Sequence, residues 1–345
     1  MRRIKTVDVH VSGQPVRVVI EGIPGAAGQD AREKAEWFAA HADDLRRALV
    51  HPPRGHDDLM AVALTEPSSA GAHAGLLFMD SGGYAPMSAG AVIAAATVAV
   101  DRRLLVTSAE KSAEQVLTFD TPAGAVQVCV RASFPKEDGA APCVSSVSLR
   151  LGPAFVHAPS ATVSRRSRRV PLDVVFAGGF FAIVDSESAG VPLDRSHAED
   201  LRTAARELFD ALDSRFTFLH PARQEAEPVA GIVFTGPPSR DDAHLRGVAV
   251  SRHGVVDRSS VSGTGAVLTV LEAMGLAAEG QPFVHEGTAG LAVTGVITGR
   301  ATVGESPAVD VEVTATAWVT GETTWMLDDR DPLRFGDDPG REVLF

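Results

Sequence analysis

The sequence predicts an α+β protein made of two similar halves, each a curled sheet of short strands around one buried helix. Three observations carry this prediction: an apolar helical segment at 88–100, a second one at 262–275, and short strand-like segments before and after each. At 345 residues the chain is long for a single hydrophobic core, so two domains are the natural expectation. We place them at 1–165 and 166–345, with the end of the chain, 325–345, as the part that could return to the first half.

The first apolar segment is apolar on nearly all of its surface. From Ala91 to Val100 only Thr97 is polar, and a helix that is apolar on every side is buried on every side. The segment is too short to cross a bilayer, which takes roughly 20 apolar residues. Ser88 stands where an N-cap would stand, and small residues follow it. Such a helix start exposes backbone N–H groups that can hold an anion, although on this segment alone capping is the simpler role for Ser88.

The segment Ser262–Leu271 repeats this pattern in the other half of the chain. Gly90-Ala91-Val92-Ile93 matches Gly265-Ala266-Val267-Leu268, and both helices begin with a serine and small residues. A pattern that recurs half a chain later indicates two similar domains. If both helix starts point into one cleft, they place two hydroxyls and two sets of N–H groups around one small anion.

Charge and cysteine content narrow the function classes. The net charge of −12 argues against nucleic-acid or acidic-membrane partners. The basic cluster Arg165–Arg169 is interpreted as a solvated connection between the halves. Cys129 and Cys143 are the only cysteines, which does not suggest a disulfide scaffold. Asp8 and His10 interrupt any apolar core near the N-terminus, so we predict no signal peptide and a cytoplasmic location.

Motifs along nearly the whole chain resemble those of the proline racemase family, which includes hydroxyproline epimerases and 3-hydroxyproline dehydratases. The number, order and spacing of the motifs carry the resemblance. They are Asp8-Val9-His10 with Gly13-Gln14-Pro15, Arg54-Gly55-His56, Gly83-Tyr84-Ala85-Pro86-Met87, Phe176–Asp185, Phe234-Thr235-Gly236, Asp257-Arg258-Ser259, Gly263-Thr264-Gly265 and Val319-Thr320-Gly321. The resemblance implies the diaminopimelate-epimerase-like fold, with two pseudo-symmetric halves and the active site between them. It also implies chemistry without pyridoxal phosphate, metal or another cofactor.

That chemistry begins with a proton α to a carboxylate, which is very weakly acidic. The site must stabilise a carbanion-like species with converging N–H groups, and it must hold a base and an acid on the two faces of the α-carbon. In most family members the two groups are cysteines, one at each helix start. The first motif usually reads Met-Cys-Gly-His-Gly, whereas this chain has Met87-Ser88-Ala89-Gly90-Ala91. Serine therefore replaces the first thiol, and Gly90 stands at the histidine position.

The second motif also departs from the family pattern. It usually reads Asp-Arg-Ser-Pro-Cys-Gly-Thr-Gly, with threonine at the cysteine position in the dehydratases. Here Ser262 directly precedes Gly-Thr-Gly, but one extra residue separates it from Asp257. Counted from Asp257 instead, Val261 takes the cysteine position, so both alignments stay open.

The resemblance also implies a substrate-binding set. Asp257 matches the family residue that contacts the substrate amine; a turn or capping aspartate is the simpler alternative. The N–H groups near the two helix starts are expected to bind the substrate carboxylate, which adds Ala89, Gly90, Gly263 and Thr264 to the site. His56, Asp57 and Asp58 match no compact metal-ligand spacing, and a solvated loop fits them better.

The two serines limit the reaction. A thiol has a pKa of about 8.5 and a helix N-terminus can lower it towards neutrality, whereas a serine hydroxyl needs a neighbouring base. These residues exclude a symmetric two-thiol racemase and leave a one-base reaction through Ser88 or Ser262, such as elimination or slow epimerisation. Three hypotheses remain: an isomerase or lyase for proline-like imino acids, a family member recruited to another biosynthetic reaction on a larger substrate, and a non-catalytic protein that binds an anion or an amino acid. The expected partner is a small molecule with a carboxylate and an amine, and a homodimer is left open.

Overall fold

The computed structural model describes residues 1–105, 112–134, 142–223 and 226–337. They form two compact units. Unit 1 is Met1–Val147 together with Thr316–Phe345, and unit 2 is Ser148–Ala315.

Unit 1 is a sheet with one helix on its concave side and two on the other. Its strands are β1 (Arg2–Val11), β2 (Gln14–Glu21), β3 (Met60–Thr65), β4 (Ala74–Asp80), β5 (Gly83–Ala85), β6 (Glu114–Thr121), β7 (Gly124–Ser133), the first residues of β8 (Cys143–Arg165) and β17 (Ala317–Leu327). Its helices are α1 (Ala31–His41), α2 (Asp43–Val50) and α3 (Ala89–Asp101). The strands pair in the order β17–β1–β2–β3–β4–β6–β7. Because α3 contacts β17 and β7 as well as β1, β2 and β3, the sheet curls around it.

Unit 2 closes its strands into a barrel. The strands are the rest of β8, β9 (Arg168–Phe176), β10 (Phe180–Asp185), β11 (Val229–Gly236), β12 (Leu245–Ser251), β13 (Val256–Asp257), β14 (Phe283–Gly287), β15 (Ala292–Val303) and β16 (Ser306–Ala315). The helices are α4 (Ser186–Ala189), α5 (Ala198–Asp213) and α6 (Val261–Ala273). Pairing runs β8–β9–β10–β11–β12–β14–β15–β16, and β16 pairs back with β8. Helix α6 contacts β9, β10, β12, β15 and β16, so it lies inside the barrel.

The division between the units lies elsewhere than the sequence suggested. The expected boundary at 165/166 is a hairpin turn within unit 2, where Arg165 pairs with Arg168. Arg166 and Ser167 form the turn with φ of 45° and 65°. The chain returns to unit 1 already at Thr316, because β17 pairs with β1 along its whole length.

The two central helices are buried to different depths. Every residue of α3 from Ala89 to Val100 is buried, as the apolar run predicts. In α6 burial ends at Val270, and Met274 just after the helix is 63% exposed. The sequence predicts one buried helix in each half, and for α6 this prediction is wrong in the last turn. Glu272 interrupts the apolar run there and forms a 2.9 Å ion pair with Arg300.

The internal repeat extends beyond the helices to a pair of buried carboxylates. In unit 1, Asp120 accepts hydrogen bonds from the backbone N–H groups of Ser68 and Ser69, at 2.6 and 2.9 Å, and from the Ser69 hydroxyl. In unit 2, Glu286 accepts the corresponding bonds from the backbone of Ser239 and Arg240, at 2.7 and 3.1 Å, and from the Ser239 hydroxyl.

A histidine follows each of these loops and repeats the same backbone contacts. The backbone N–H of His73 donates to the Thr118 carbonyl at 2.8 Å, and its ring Nδ1 accepts the backbone N–H of Thr118 at 3.1 Å. His244 makes the same two bonds to Val284, at 2.8 and 2.9 Å. Two units with the same polar contacts at corresponding points support the two-domain repeat that the helices predicted.

No helix in the described part of the chain is both long and apolar enough to span a membrane. The cytoplasmic location stays a prediction.

Burial of α3 gives a test of the core. Ile93 is fully buried, whereas Met274 is mostly exposed. We expect Ile93→Ala to lower the free energy of unfolding by about 2–5 kcal/mol, because it removes buried methyl groups and leaves a cavity. Met274→Ala should change it by less than about 0.5 kcal/mol. Urea denaturation of both variants measures the difference, and equal effects would contradict the central position of α3.

Candidate active site

The start of α3 leaves two backbone N–H groups without partners. Ser88 is the N-cap: its Oγ accepts the Ala91 N–H at 3.3 Å, and its carbonyl accepts the Val92 N–H at 2.9 Å. Among the described residues, no group accepts a hydrogen bond from the N–H groups of Ala89 and Gly90. Both point out of the first turn, where the helix dipole adds a partial positive charge. This geometry fits the expected anion-binding role of Ala89 and Gly90.

The hydroxyl of Ser88 is committed to local contacts. It accepts from Ala91 and donates to the thioether sulfur of Met60 at 3.4 Å. The residue is 7% exposed. A thioether is a weak acceptor and no base, so nothing in these contacts helps to remove the proton of Ser88.

Gly90 has free space beside it even though its backbone is buried. Among the buried glycines of the described chain, it is the one where an added Cβ would meet no atom within 4 Å; the others would meet an atom at 3.0 Å or less. The chain therefore has room for a side chain at this point of the first turn of α3 and leaves it empty.

The start of α6 is organised around the carboxylate of Asp257. Its Oδ1 accepts the backbone N–H and the hydroxyl of Ser259, at 3.0 and 2.5 Å. Its Oδ2 accepts the backbone N–H of Ser262 at 3.3 Å. Asp257 is 8% exposed. These contacts are those of a capping aspartate, the simpler of the two roles considered from the sequence.

The residue that precedes α6 has an unusual backbone conformation. Ser260 has φ 60° and ψ 8°, in the left-handed region that non-glycine residues seldom adopt. Its carbonyl accepts the N–H groups of Gly263 and Thr264, at 3.1 and 3.0 Å. Both N–H groups expected to bind a substrate carboxylate therefore have a partner within the chain; the Thr264 bond is the ordinary first helical bond, which Val92 makes to Ser88 in α3.

The structure separates the two candidates for the second catalytic position. Val261 is fully buried, and its N–H donates to the Ser259 hydroxyl at 3.2 Å. Ser262 is partly exposed, and within the described residues its hydroxyl makes no hydrogen bond. Of the two, Ser262 is the side chain available for chemistry.

A residue that the sequence analysis did not single out lies behind this turn. His285 on β14 is fully buried, and its Nδ1 lies 3.1 Å from the hydroxyl of Thr264. Its Nε2 has no hydrogen-bond partner among the residues that the structure describes. Burial lowers the pKa of His285 to about 4, so the ring is neutral at physiological pH. The sequence carried little signal for it, since a lone histidine in an apolar strand has no spacing to a partner.

A separate cavity lies within unit 1. Its volume is about 260 Å³, and Asp8, Arg17, Arg54, His56 and Thr320 are among the polar residues that line it. None of the expected site residues lines this cavity. Its charged groups are engaged with one another and with the backbone: Arg17 forms a bidentate pair with Asp8, and Arg54 pairs with Asp331 at 3.0 Å.

Comparison with known sequences connects the chain with one family over nearly its whole length. The family described as proline racemase matches residues 6–337. A trans-3-hydroxy-L-proline dehydratase from Bacillus cereus is 31% identical over 332 residues, which cover 96% of each chain. A proline racemase from Acetoanaerobium sticklandii is 31% identical over 338 residues, covering 96% of this chain and 97% of the relative.

Solved structures give the same result for the fold. A probable proline racemase from Agrobacterium radiobacter K84, solved with bound carbonate, has a TM-score of 0.84 and 26% identity over 96% of both chains. A hydroxyproline epimerase from Agrobacterium vitis, solved with bound trans-4-hydroxy-L-proline, has a TM-score of 0.83 and 26% identity over 97% of this chain and 96% of that one. The fold predicted from the sequence, α+β and diaminopimelate-epimerase-like, is confirmed.

The low pKa of His285 predicts a pH-dependent stability. Its folded pKa of about 4 lies below the ordinary 6.5, so above pH 6.5 the ring is neutral in both states. Below pH 6.5 only the unfolded chain takes up the proton, and the free energy of unfolding falls by about 3 kcal/mol in all between pH 6.5 and 4.

Urea titrations across this range test the effect by comparing the unmodified protein with His285→Phe. The variant should lack that part of the slope. Other histidines whose pKa burial lowers, such as the partly buried His157 and the buried His220, contribute equally to both proteins. Parallel curves for the two proteins would contradict the neutral buried state of His285.

Proposed function

The chain belongs to the proline racemase family, and from this membership we propose that it is a cofactor-independent enzyme that removes the α-proton of a proline-like imino acid. We propose further that it acts as a lyase of the 3-hydroxyproline dehydratase type. The main support is the difference between the two serines: Ser262 has an uncommitted hydroxyl, whereas that of Ser88 is committed at both ends. Relatives named trans-3-hydroxy-L-proline dehydratase, at 30–32% identity, add to this support.

One available acid–base side chain favours elimination over epimerisation. An epimerase removes the proton from one face of the α-carbon and returns one to the other face, so it needs a second group. With a single group, the proton returns to the face it left and the substrate is unchanged. Loss of the C3 hydroxide is then the productive outcome: the α-proton and the hydroxide leave as water, a C2=C3 double bond forms, and the enamine tautomerises to a cyclic imine.

In this proposal Ser262 transfers the proton with help from Asp257. A serine hydroxyl needs a neighbouring base, and the Asp257 carboxylate already holds the first turn at the backbone of Ser262. Of the roughly four lone pairs of a carboxylate, the described contacts of Asp257 occupy three. Its negative charge also favours the ammonium form of the substrate nitrogen, which keeps the amine-binding role as part of the proposal.

The substrate carboxylate is assigned to the start of α3. The N–H groups of Ala89 and Gly90 are the unpartnered donors there, and fixed donors stabilise the charge that develops as the α-proton leaves. The space beside Gly90 adds room at the same turn. Gly263 and Thr264, whose N–H groups have partners, are assigned to shaping the turn.

Incubation in deuterated water tests the proposed reaction. With trans-3-hydroxyproline we expect loss of substrate and growth of a cyclic imine in the NMR spectrum; with trans-4-hydroxyproline we expect no epimer. Ser262→Ala should lower turnover by roughly a hundredfold or more, the scale of general acid–base catalysis. Ser88→Ala should mainly lower stability, by about 1 kcal/mol, because it removes an N-cap.

Two results would contradict this assignment. Equal loss of turnover in Ser88→Ala, with the fold intact, would give Ser88 a catalytic role. Epimer formation by the unmodified protein would show that a second acid–base group is present.

Placing the family's cysteines at positions 88 and 262 tests the same reasoning by adding acid–base groups. Ser88→Cys combined with Ser262→Cys should produce epimerisation of trans-4-hydroxyproline, since a thiolate forms near neutral pH at a helix start. The extra residue before Ser262 limits the gain, because a displacement of about 1 Å can lower a rate roughly a hundredfold. Chiral chromatography measures the epimer. The double variant should exceed either single variant, and a folded double variant without epimerase activity would contradict the acid–base reasoning for these two positions.

A further inference from the structure

A closed set of contacts surrounds the first turn of α6. The Ser260 hydroxyl donates to the Gly247 carbonyl on β12, and the Ser260 carbonyl accepts the hydroxyl of Thr264 at 2.7 Å. Thr264 in turn lies 3.1 Å from Nδ1 of His285 on β14. The set closes at Gly247, where an added Cβ would meet His285 Nε2 at 2.5 Å. The ring of His285 therefore fills the space between β12 and the first turn of α6.

The hydrogen-bond directions in this set fix the tautomer of His285. Thr264 has one hydroxyl proton, and it is directed to the carbonyl of Ser260. The Thr264 oxygen can then only accept from the histidine, so Nδ1 carries the ring proton. Nε2 is then an acceptor without a partner in the described part of the chain. An unpartnered acceptor in a dry site is unfavourable and calls for an explanation.

The strained backbone at Ser260 offers an explanation for the unpartnered Nε2 of His285. A serine in the left-handed region is held there only when its surroundings over-determine it. Ser260 is fully buried. Its side chain is held by Gly247, its carbonyl by Thr264, and Thr264 by His285. His285 lies on β14, whereas the residues that it contacts lie on β12 and in the first turn of α6. Its ring therefore joins β14 to the first turn.

We propose that His285 is a positioning residue: as an Nδ1–H tautomer it donates to Thr264, holds the left-handed turn at Ser260, and thereby fixes the place of Ser262 at the start of α6. The catalytic consequence rests on the proposed function, whereas the structural part does not depend on it. His285 touches no substrate in this account and acts through Thr264 alone.

Three variants separate the hydrogen bond from the packing. His285→Phe keeps a ring and removes the donor. His285→Asn places a side-chain N–H near the position of Nδ1 and restores it. His244→Phe is the matched control, since His244 also packs beside Phe283, at 5.7 Å against 5.5 Å for His285, and its Nδ1 also makes one hydrogen bond, to the backbone of Val284.

Amide hydrogen exchange of the segment 261–265 is the first measurement. We expect His285→Phe to raise exchange there about tenfold or more over the unmodified protein, with the rest of α6 unchanged. His285→Asn and His244→Phe should leave this segment protected. Unchanged protection in a folded His285→Phe, or the same increase in all three variants, would overturn the proposal.

Turnover is the second measurement and applies if the protein converts an imino acid. His285→Phe should then lower kcat at least tenfold with KM within about twofold, and His285→Asn should recover most of kcat. An increase in exchange without a fall in kcat would overturn the positioning role. If the unmodified protein converts no imino acid, the proposed function fails, and the exchange measurement alone decides the role of His285.

The third measurement needs no substitution at His285, so it holds even if the His285 variants fail to fold. Long-range ¹H–¹⁵N correlation spectra of the ¹⁵N-histidine-labelled protein distinguish the two neutral tautomers. Nδ1 of His41 and Nδ1 of His197 also face an oxygen, at 2.9 and 2.7 Å, so the spectrum is recorded on the His41→Gln, His197→Gln variant. There we expect a neutral histidine in the Nδ1–H form near pH 7. If every neutral histidine carries its proton on Nε2, the proposed contact with Thr264 is wrong.

Discussion

The first turn of a buried helix is the constraint on which the rest of this structure depends. Its leading N–H groups have no partner within the helix and must find one elsewhere. In α3 the chain supplies only the Ser88 hydroxyl, to Ala91, and leaves Ala89 and Gly90 open. In α6 it supplies Ser259, Asp257 and the carbonyl of Ser260. Within the described residues, the N–H groups without a partner therefore lie at the start of α3, and the serine hydroxyl without a hydrogen bond lies at the start of α6.

The two helix starts differ although the contacts that support them are alike in the two units. Each unit ties a loop to a buried carboxylate, Asp120 or Glu286, and anchors a histidine to the neighbouring strand. Burial would raise the pKa of both carboxyls, but the hydrogen bonds from the loop outweigh it and leave each pKa below its usual value. Since the supporting contacts repeat so closely, the unequal helix starts come from the motifs themselves, above all from the extra residue before Ser262.

Sequence reasoning reached the fold because apolar patterning is a local signal. The run of apolar residues in α3 and the similar run in α6 were enough to place both central helices within two residues of their observed bounds. Polar contacts between distant segments carry no such signal, so the carboxylate loops and the Thr264–His285 contact did not emerge. The partner of the Gly263 and Thr264 N–H groups was not predicted, because the count of residues shows an insertion but not the backbone conformation of Ser260, whose carbonyl accepts both N–H groups.

The turn before α6 is an unlikely product of stability alone. A left-handed serine is disfavoured by about 1–2 kcal/mol, and the chain adds a buried acceptor without a partner on His285. Both features lie within the same set of contacts, and strain of this kind concentrates at functional sites. The arrangement buries the side chain of Val261 and leaves that of Ser262 partly exposed, with the Ser262 backbone N–H bonded to Asp257. With the serine as N-cap, as in α3, the hydroxyl of Ser262 would instead accept a backbone N–H of the first turn.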